Sequence, residues 1–324
     1  MVPSISTWAG LSSMTRTRRR NIWKRSTKAN AASRICRPLM NPEKQGIFVM
    51  LNGRCLLESR AKISIHDRGF LYGDGFFETI LCVDGRPRFL RDHEARLLSS
   101  CLEFGINLPD AVHFDDAIEK LTAANGLTTG PARIKIIVTR GKGLAGPGIG
   151  FPAAGTPTVL VTAVPYRAPA ENLYGKGIGM AVFPQAHSGP LARHKSLNYL
   201  FSLAARQYAA EKKAYEALLC DPQGMVLECS AANIYARKGT VVSLPPADAP
   251  YLHGVMEKQI LKILEEAGYR VSRTYFRPES ILSADEVFIS NALIGALPVA
   301  DIDGKPCGPF REVSSLIRRK LEET

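Results

Sequence analysis

The chain has 324 residues, of which 45% are hydrophobic and 22% are charged, a balance typical of a soluble globular protein. This length predicts two domains with sizeable cores, and no apolar run approaches the roughly 18 residues of a membrane span. The seven cysteines form no C-x-x-C pair, which disfavours a metal knuckle or a disulfide framework and indicates a reducing compartment.

The net charge of +12 is concentrated in the first 42 residues. That segment holds nine Lys and Arg and no Asp or Glu, which leaves +3 for the rest of the chain. A transit peptide has this composition, but a dispensable extension upstream of Met40 or Met50 and an RNA-binding arm fit it too. We expect residues 1–45 to be a disordered extension and disfavour a nucleic-acid partner. We expect a cytoplasmic protein, unless the tail directs it to a plastid or another organelle.

The first half of the chain carries the apolar patterns and turn residues of a sheet with two helices. A strand over residues 46–51 ends at Asn52-Gly53, a strong hairpin signal. The next predicted elements are strands 63–65 and 76–83, helices 91–104 and 114–125, and strands 134–139 and 158–164. The glycine-rich residues 141–150, between the last two strands, are typical of a pocket edge or of a plain surface loop.

Pro and Gly interrupt residues 166–177, which we predict to link a small N-terminal domain, 46–165, to a larger C-terminal domain, 178–324. The predicted C-terminal elements are strand 178–183, helix 196–213, strands 216–220, 225–227 and 233–236, hairpin 237–244, helix 254–267, strand 286–290 and helix 311–322. Strands and helices mix without strict alternation, so an α+β fold is favoured over a doubly wound sheet.

Lys195 and Glu228 form the most informative pair of candidate functional residues. A lysine can bond to the aldehyde of pyridoxal phosphate, and a carboxylate can keep the pyridine nitrogen protonated, so the pair indicates amino-group chemistry. Each residue also has a plain interpretation, because a lysine before a helix is usually on the surface and Glu228 can be a solvated strand end. Asn233 follows Glu228 in a turn of small residues and can tie that turn down.

Two segments could hold a phosphate group. Gly254-Val255-Met256 opens a predicted helix, whose first N–H groups form an anion site, although a glycine before a helix is common. Arg96 follows His93 by three residues on one predicted helix face and could donate a forked pair of hydrogen bonds, although that face can also be merely solvated. The run from Asp67 to Thr79 packs three glycines among aromatic residues but does not open a helix as a dinucleotide site would.

Six motifs in this order resemble the fold-type IV pyridoxal-phosphate enzymes, the class IV aminotransferase family, from about Gly46 to Val299. The motifs are the Asp67–Thr79 run, His93-x-x-Arg96-Leu97, Lys195-x-x-Asn198, Glu228 with Asn233, Gly254-Val255-Met256, and Asp285 to Val299. The resemblance implies a two-domain α+β fold like that of the D-amino-acid aminotransferases, and a homodimer that takes a small-molecule substrate.

The resemblance also implies the roles of the site residues. Lys195 would bond to the cofactor aldehyde and Glu228 would pair with the pyridine nitrogen, with Asn233 beside it. Arg96, the backbone at Val255 and Met256, and the segment Asn291-Ala292 would hold the phosphate. Lys195, with Thr79 as a weaker candidate, would protonate the leaving group of a lyase reaction.

Within the family, the segments 228–233 and 290–293 are more similar to aminodeoxychorismate lyases than to branched-chain aminotransferases. The lyases often carry an arginine and a tyrosine in the loop that here reads Gly143-Leu144-Ala145-Gly146-Pro147, so this chain departs from them there. We therefore expect a lyase that forms 4-aminobenzoate and pyruvate in folate biosynthesis. A branched-chain or D-amino-acid aminotransferase is the alternative, and a noncatalytic binding protein is a distant third.

Overall fold

The computed structural model describes residues 46–108, 113–143 and 156–323, which form two sheets and the helices that cover them. The first sheet has six antiparallel strands in the order β2-β1-β6-β5-β3-β4. Its strands are β1 (Phe48–Leu51), β2 (Arg54–Leu57), β3 (Gly75–Val83), β4 (Arg86–Pro87), β5 (Pro131–Thr139) and β6 (Thr158–Pro165). Helices α2 (Leu90–Glu103) and α3 (Phe114–Ala124) follow β4 in the chain.

Alternating side chains of this sheet form the N-terminal core. Ile134, Ile136 and Val138 of β5 are buried at every second position, as expected for a sheet with one face toward the core. Leu97 of α2 and Ile118 of α3 pack in the same apolar cluster. The predicted helices 91–104 and 114–125 and the predicted strand 134–139 are therefore confirmed.

Of two sequence predictions near the start of the first sheet, one is confirmed and one is wrong. The Asn52-Gly53 turn joins β1 to β2, as predicted, and both residues have positive φ. The predicted strand 63–65 is wrong, because these residues pair with no strand and both isoleucines are exposed. The glycine-rich run also contains a short helix that the sequence did not reveal, α1 (Arg68–Tyr72), capped by the Asp67 side chain.

The second sheet has nine strands and is mixed in direction. The strand order is β12-β11-β10-β13-β14-β7-β8-β9, with β15 paired to β14. Its strands are β7 (Ile178–Val182), β8 (Glu216–Cys220), β9 (Val226–Cys229), β10 (Asn233–Lys238), β11 (Val241–Leu244), β12 (Arg270–Arg273), β13 (Glu286–Asn291), β14 (Gly295–Ile302) and β15 (Lys305–Pro306). Both sheets together confirm the α+β fold.

Five helices accompany the second half of the chain. They are α4 (Glu171–Lys176), α5 (Leu200–Glu211), α6 (Val255–Glu266), α7 (Pro278–Ile281) and α8 (Glu312–Glu322). α6 and α8 bury Ile260 and Ile317 against Tyr235 and Phe288, whose rings stack 4.7 Å apart. α4 lies within the predicted linker 166–177, and the domain boundaries themselves stay a prediction.

The segment around Lys195 connects the two sheets. The Phe77 N–H donates to the Lys195 carbonyl at 2.9 Å, and the Leu197 N–H donates to the Gly75 carbonyl at 3.0 Å. This pairing explains why α5 begins at Leu200 rather than at the predicted residue 196. It also fixes the backbone of Lys195 against the start of β3. Among the described residues, no helix combines the length and apolar character that a membrane crossing requires.

Candidate active site

A cavity of about 450 Å³ lies beside Lys195 and contains every candidate site residue named from the sequence. Its wall includes Thr79, Arg96, Lys195, Glu228, Asn233, Val255, Met256, Asn291 and Ala292. These residues come from both sheets, from α2 and from the start of α6, so folding brings together positions more than 200 residues apart in sequence.

Lys195 lies half-buried in this cavity among aromatic rings. Its Nζ lies 4.5 Å from the centre of the Phe77 ring and 5.6 Å from that of Tyr199. Burial, followed by the positive charge of Arg96, lowers the pKa of Lys195 to about 8, against the opposing effects of Glu78 and Glu228. A lysine with this pKa has a substantial neutral fraction near pH 8, which is the form that can attack a carbonyl carbon.

Glu228, the second-last residue of β9, lines the cavity with a polar group near each carboxylate oxygen. Oε2 accepts a hydrogen bond from the Leu252 N–H at 3.3 Å, and Oε1 lies 3.2 Å from His187 Nε2. Burial raises the pKa of Glu228, while His187, the Leu252 N–H and Lys195 act in the opposite direction. A buried carboxylate of this kind is suited to an ion pair with a protonated ring nitrogen.

The start of α6 forms the opposite end of the cavity. Gly254 is its N-cap residue and makes no side-chain cap, so no side chain occupies the position in front of the first N–H groups of Val255 and Met256. A Cβ on Gly254 would lie 2.1 Å from Asn233 Oδ1. Asn233 Nδ2 donates to the Leu252 carbonyl at 2.7 Å, which holds this chain entry in place.

Arg96 reaches the same end from α2. Its Nε and Nη2 donate to the two oxygens of Glu78 at 2.8 and 2.7 Å, and its Nη1 donates to the His253 carbonyl at 3.0 Å. Arg96 thus connects β3 to the residue just before α6. The guanidinium is fixed in direction and places a positive charge beside the helix N-terminus, where the two attract an anion together.

Asn291 and Thr79 line the remaining walls. The Asn291 side chain accepts from the N–H groups of Leu293 and Ile294 at 2.9 and 3.0 Å and donates to the Ala231 carbonyl at 3.0 Å, so it braces the turn that carries Ala292. Thr79 brings a hydroxyl group to the wall from β3, opposite Lys135 in the sheet register.

The sequence did not single out several residues of this site. Tyr199 contacts Lys195 and donates from its hydroxyl to the Ser230 carbonyl at 3.2 Å, and its place four residues after the lysine was an available signal. Glu78, the partner of Arg96, stands one residue before Thr79 in the quoted glycine-rich run. His187 lies 41 residues before Glu228, and no sequence pattern connects the two.

The loop at which this chain departs from the lyases begins at Gly143, which the structure describes. Residues 144–155 lie outside the described residues.

The residues of the cavity fit pyridoxal 5′-phosphate. A half-buried lysine of lowered pKa, a buried carboxylate, and a helix N-terminus with an arginine suit the aldehyde, the ring nitrogen and the phosphate of that molecule, respectively. Aromatic and small side chains between them leave room for a flat ring.

The comparisons with known proteins agree with this site. The family described as amino-transferase class IV matches residues 75–302. The D-alanine aminotransferase of Bacillus licheniformis is 31% identical over 261 residues, which span 80% of this chain and 90% of that protein. Fold and cavity together define an α+β enzyme of fold type IV. The chain belongs to the class IV aminotransferase family.

Two solved structures carry different activities on the same fold. The branched-chain amino acid aminotransferase of Escherichia coli is 26% identical, with a TM-score of 0.76, over 86% of this chain and 94% of that one. The 4-amino-4-deoxychorismate lyase from Pseudomonas aeruginosa is 28% identical, with a TM-score of 0.72, over 85% of this chain and 98% of that one.

Proposed function

We propose that this protein is a pyridoxal-phosphate-dependent lyase that converts 4-amino-4-deoxychorismate to 4-aminobenzoate and pyruvate. The observation that carries the proposal is the contact between the two segments that resemble the lyases. Asn233 and Ser290 are register partners on β10 and β13, and the Asn291 amide donates to the Ala231 carbonyl. The two segments thus form one wall of the cavity.

Each end of the cavity has a proposed role in holding the cofactor. Lys195 would bond to its aldehyde, Glu228 would keep its ring nitrogen protonated, and Asn233 would hold the entry to α6. Arg96, the N–H groups of Val255 and Met256, and the segment Asn291-Ala292 would hold its phosphate. Once bound, the cofactor supplies an electron sink for the bonds that break in the substrate.

Lys195 performs the proton transfers of the proposed reaction. Freed when the substrate's amino group takes its place, the neutral Lys195 amine removes the proton from ring carbon C4 of the substrate, and the bond between the ring and the enolpyruvyl oxygen breaks as the ring becomes aromatic. The same ammonium group then returns the proton to the methylene carbon of the departing enolpyruvate, which leaves as pyruvate. Thr79, whose hydroxyl lines the same cavity, is a second candidate for this proton donor.

An aminotransferase is the second candidate function, favoured by the 31% identical D-alanine aminotransferase and the Escherichia coli structure. The same residues serve both reactions. In an aminotransferase Lys195 would move a proton from the substrate Cα to the cofactor carbon that the lysine had occupied. Such an enzyme requires a second substrate, a 2-oxo acid, to complete its cycle.

A single pair of assays separates the two activities. The purified protein, yellow when loaded with cofactor, is incubated with 4-amino-4-deoxychorismate alone, and pyruvate and 4-aminobenzoate are measured. We expect equal amounts of both products, and none with the Lys195→Ala variant. Formation of glutamate from 2-oxoglutarate with D-alanine or a branched-chain amino acid, without pyruvate release from 4-amino-4-deoxychorismate, would establish the aminotransferase instead. A preparation that cannot be loaded with cofactor would contradict both.

We also propose a homodimer and a reducing compartment. Among the described residues, Cys82, Cys101, Cys220, Cys229 and Cys307 are free thiols. This supports the cytoplasm, or an organelle if residues 1–42 act as a transit peptide.

A further inference from the structure

His187 is a cavity residue that the proposed reaction does not use. It precedes the lysine by eight residues, and its backbone N–H donates to the Cys220 carbonyl at 2.8 Å, which attaches its segment to the end of β8. Its ring stacks on Phe201 of α5, with centroids 5.1 Å apart and an interplanar angle of 28°. Two independent contacts therefore fix the direction of this imidazole.

The fixed imidazole holds its Nε2 beside Glu228. Nε2 lies 3.2 Å from Glu228 Oε1, within ion-pair distance, and makes no hydrogen bond within the part of the chain that the structure describes. The opposite oxygen of Glu228 accepts from the Leu252 N–H. The other titratable groups that face the carboxylate are Lys195 and the Tyr199 phenol.

We propose that His187 is a positioning residue that orients the Glu228 carboxylate and keeps it ionised for its pairing with the ring nitrogen of the cofactor. This inference deepens the proposed function and depends on it. Burial favours the neutral form of Glu228, and a neutral carboxyl group cannot stabilise a protonated ring nitrogen. An imidazole Nε2 held 3.2 Å from Oε1 opposes that effect, by its charge when protonated and by its N–H dipole when the neutral ring carries the proton on Nε2.

Two substitutions separate the donor from the flat shape of the ring. His187→Phe keeps a ring that can stack on Phe201 but removes the donor, whereas His187→Gln keeps an N–H donor without a ring. His113→Gln, at an exposed position ahead of α3, is the matched control. Dissociation constants are measured by titrating each cofactor-free protein with pyridoxal phosphate and, separately, with an analogue that carries a carbon atom in place of the ring nitrogen.

We expect His187→Phe to weaken binding of pyridoxal phosphate about tenfold, the usual range for loss of a hydrogen bond to a charged group. The loss should begin at a higher pH on acidification than in the wild type, because Glu228 then becomes protonated more readily. His187→Gln should retain most of the affinity, and binding of the analogue should be unchanged in both variants, since it has no nitrogen to pair with Glu228.

Three results would overturn the inference. Equal weakening for the analogue and for pyridoxal phosphate would show that His187 only shapes the cavity. Unchanged affinity of His187→Phe for pyridoxal phosphate would show that Glu228 does not need the donor. Failure of the wild type to bind either molecule would remove the proposed function itself, and the inference with it.

Discussion

Glu78 is a buried carboxylate that keeps its negative charge because three donors surround it. Arg96 donates twice to it, and His93 Nδ1 lies 2.7 Å from its Oε2. Burial alone would raise the pKa of Glu78, but the charge of Arg96 and the hydrogen bonds from His93 and Arg96 lower it to about 2. Glu78 therefore orients the arginine that we assign to the phosphate, although it does not itself line the cavity.

Glu78→Gln should lower the free energy of unfolding by about 3 kcal/mol, the range observed when one partner of a buried ion pair is removed. The folded pKa lies below the unfolded value of about 4.3, so the ion pair stabilises the fold above that value and is lost only as the pH falls through about 2. The difference from the wild type should thus be the same at pH 5 and pH 8 in urea unfolding. Glu119→Gln, at an exposed position of α3, is the control, and an equal loss there would contradict the assignment.

At the scale of elements, the N-terminus of α6 is built around the absence of a side chain at Gly254. Its φ of −67° suits any residue, so backbone strain is not the reason for glycine. The reason is contact, because an added Cβ would meet Asn233 Oδ1 at 2.1 Å. The Asn233 side chain would have to leave its hydrogen bond to the Leu252 carbonyl, and the helix start would move with it.

Gly254→Ala should therefore weaken binding of pyridoxal phosphate by tenfold or more and destabilise the fold by about 1–3 kcal/mol, the range for overpacking. Gly175→Ala is the matched control, because it lies in α4 with nothing within 4 Å of an added Cβ. That control should keep its affinity and gain up to about 1 kcal/mol from helix propensity. Thermal unfolding measures the stability of each variant, and cofactor titration measures its affinity for pyridoxal phosphate. Equal affinities of the two variants would disprove the role of Gly254.

The elements that the sequence predicted are those with a strong local pattern, such as β5 with its alternating isoleucines. β12 (Arg-Val-Ser-Arg) has no such pattern, and it forms because β11 offers a parallel edge. β14 contains Pro298. Because a proline has no N–H to donate to a neighbouring strand, the sequence argues against a strand with neighbours on both sides at this position. Its register to β7 shifts between Val299 and Asp301, close to that proline.

The residues of the candidate site also divide into those with a recognisable local sequence pattern and those without one. Lys195 and Glu228 could be found because each stands in a recognisable motif whose order along the chain is informative. The pairs Glu78–Arg96 and His187–Glu228 could not, because they join residues that only the three-dimensional packing brings within hydrogen-bond distance. A sequence identifies which side chains do chemistry more readily than the neighbours that set their charge and direction.

At the scale of the whole molecule, large apolar side chains from three helices stay exposed on neighbouring segments. Phe70 of α1, Leu102 of α2 and Leu200 of α5 are 74%, 77% and 78% exposed. Segments beside these helices contact one another, since Asn198 donates to the Gly73 carbonyl at 3.1 Å and His194 Nδ1 lies 3.0 Å from Ser100 Oγ. Exposed apolar groups gathered in this way typically mark a protein–protein interface.

We expect the full chain to sediment at twice its 35.4 kDa mass, because pairing two copies would remove this apolar surface from water. The double variant Phe70→Glu/Leu200→Glu should sediment as a monomer, since a charge buried in an interface has no partner there. Tyr275→Glu, which changes an exposed aromatic residue beyond β12, should remain dimeric. Analytical ultracentrifugation at micromolar concentration distinguishes the two states. A monomeric wild type, or a double variant that stays dimeric, would show that these helices do not form the dimer interface.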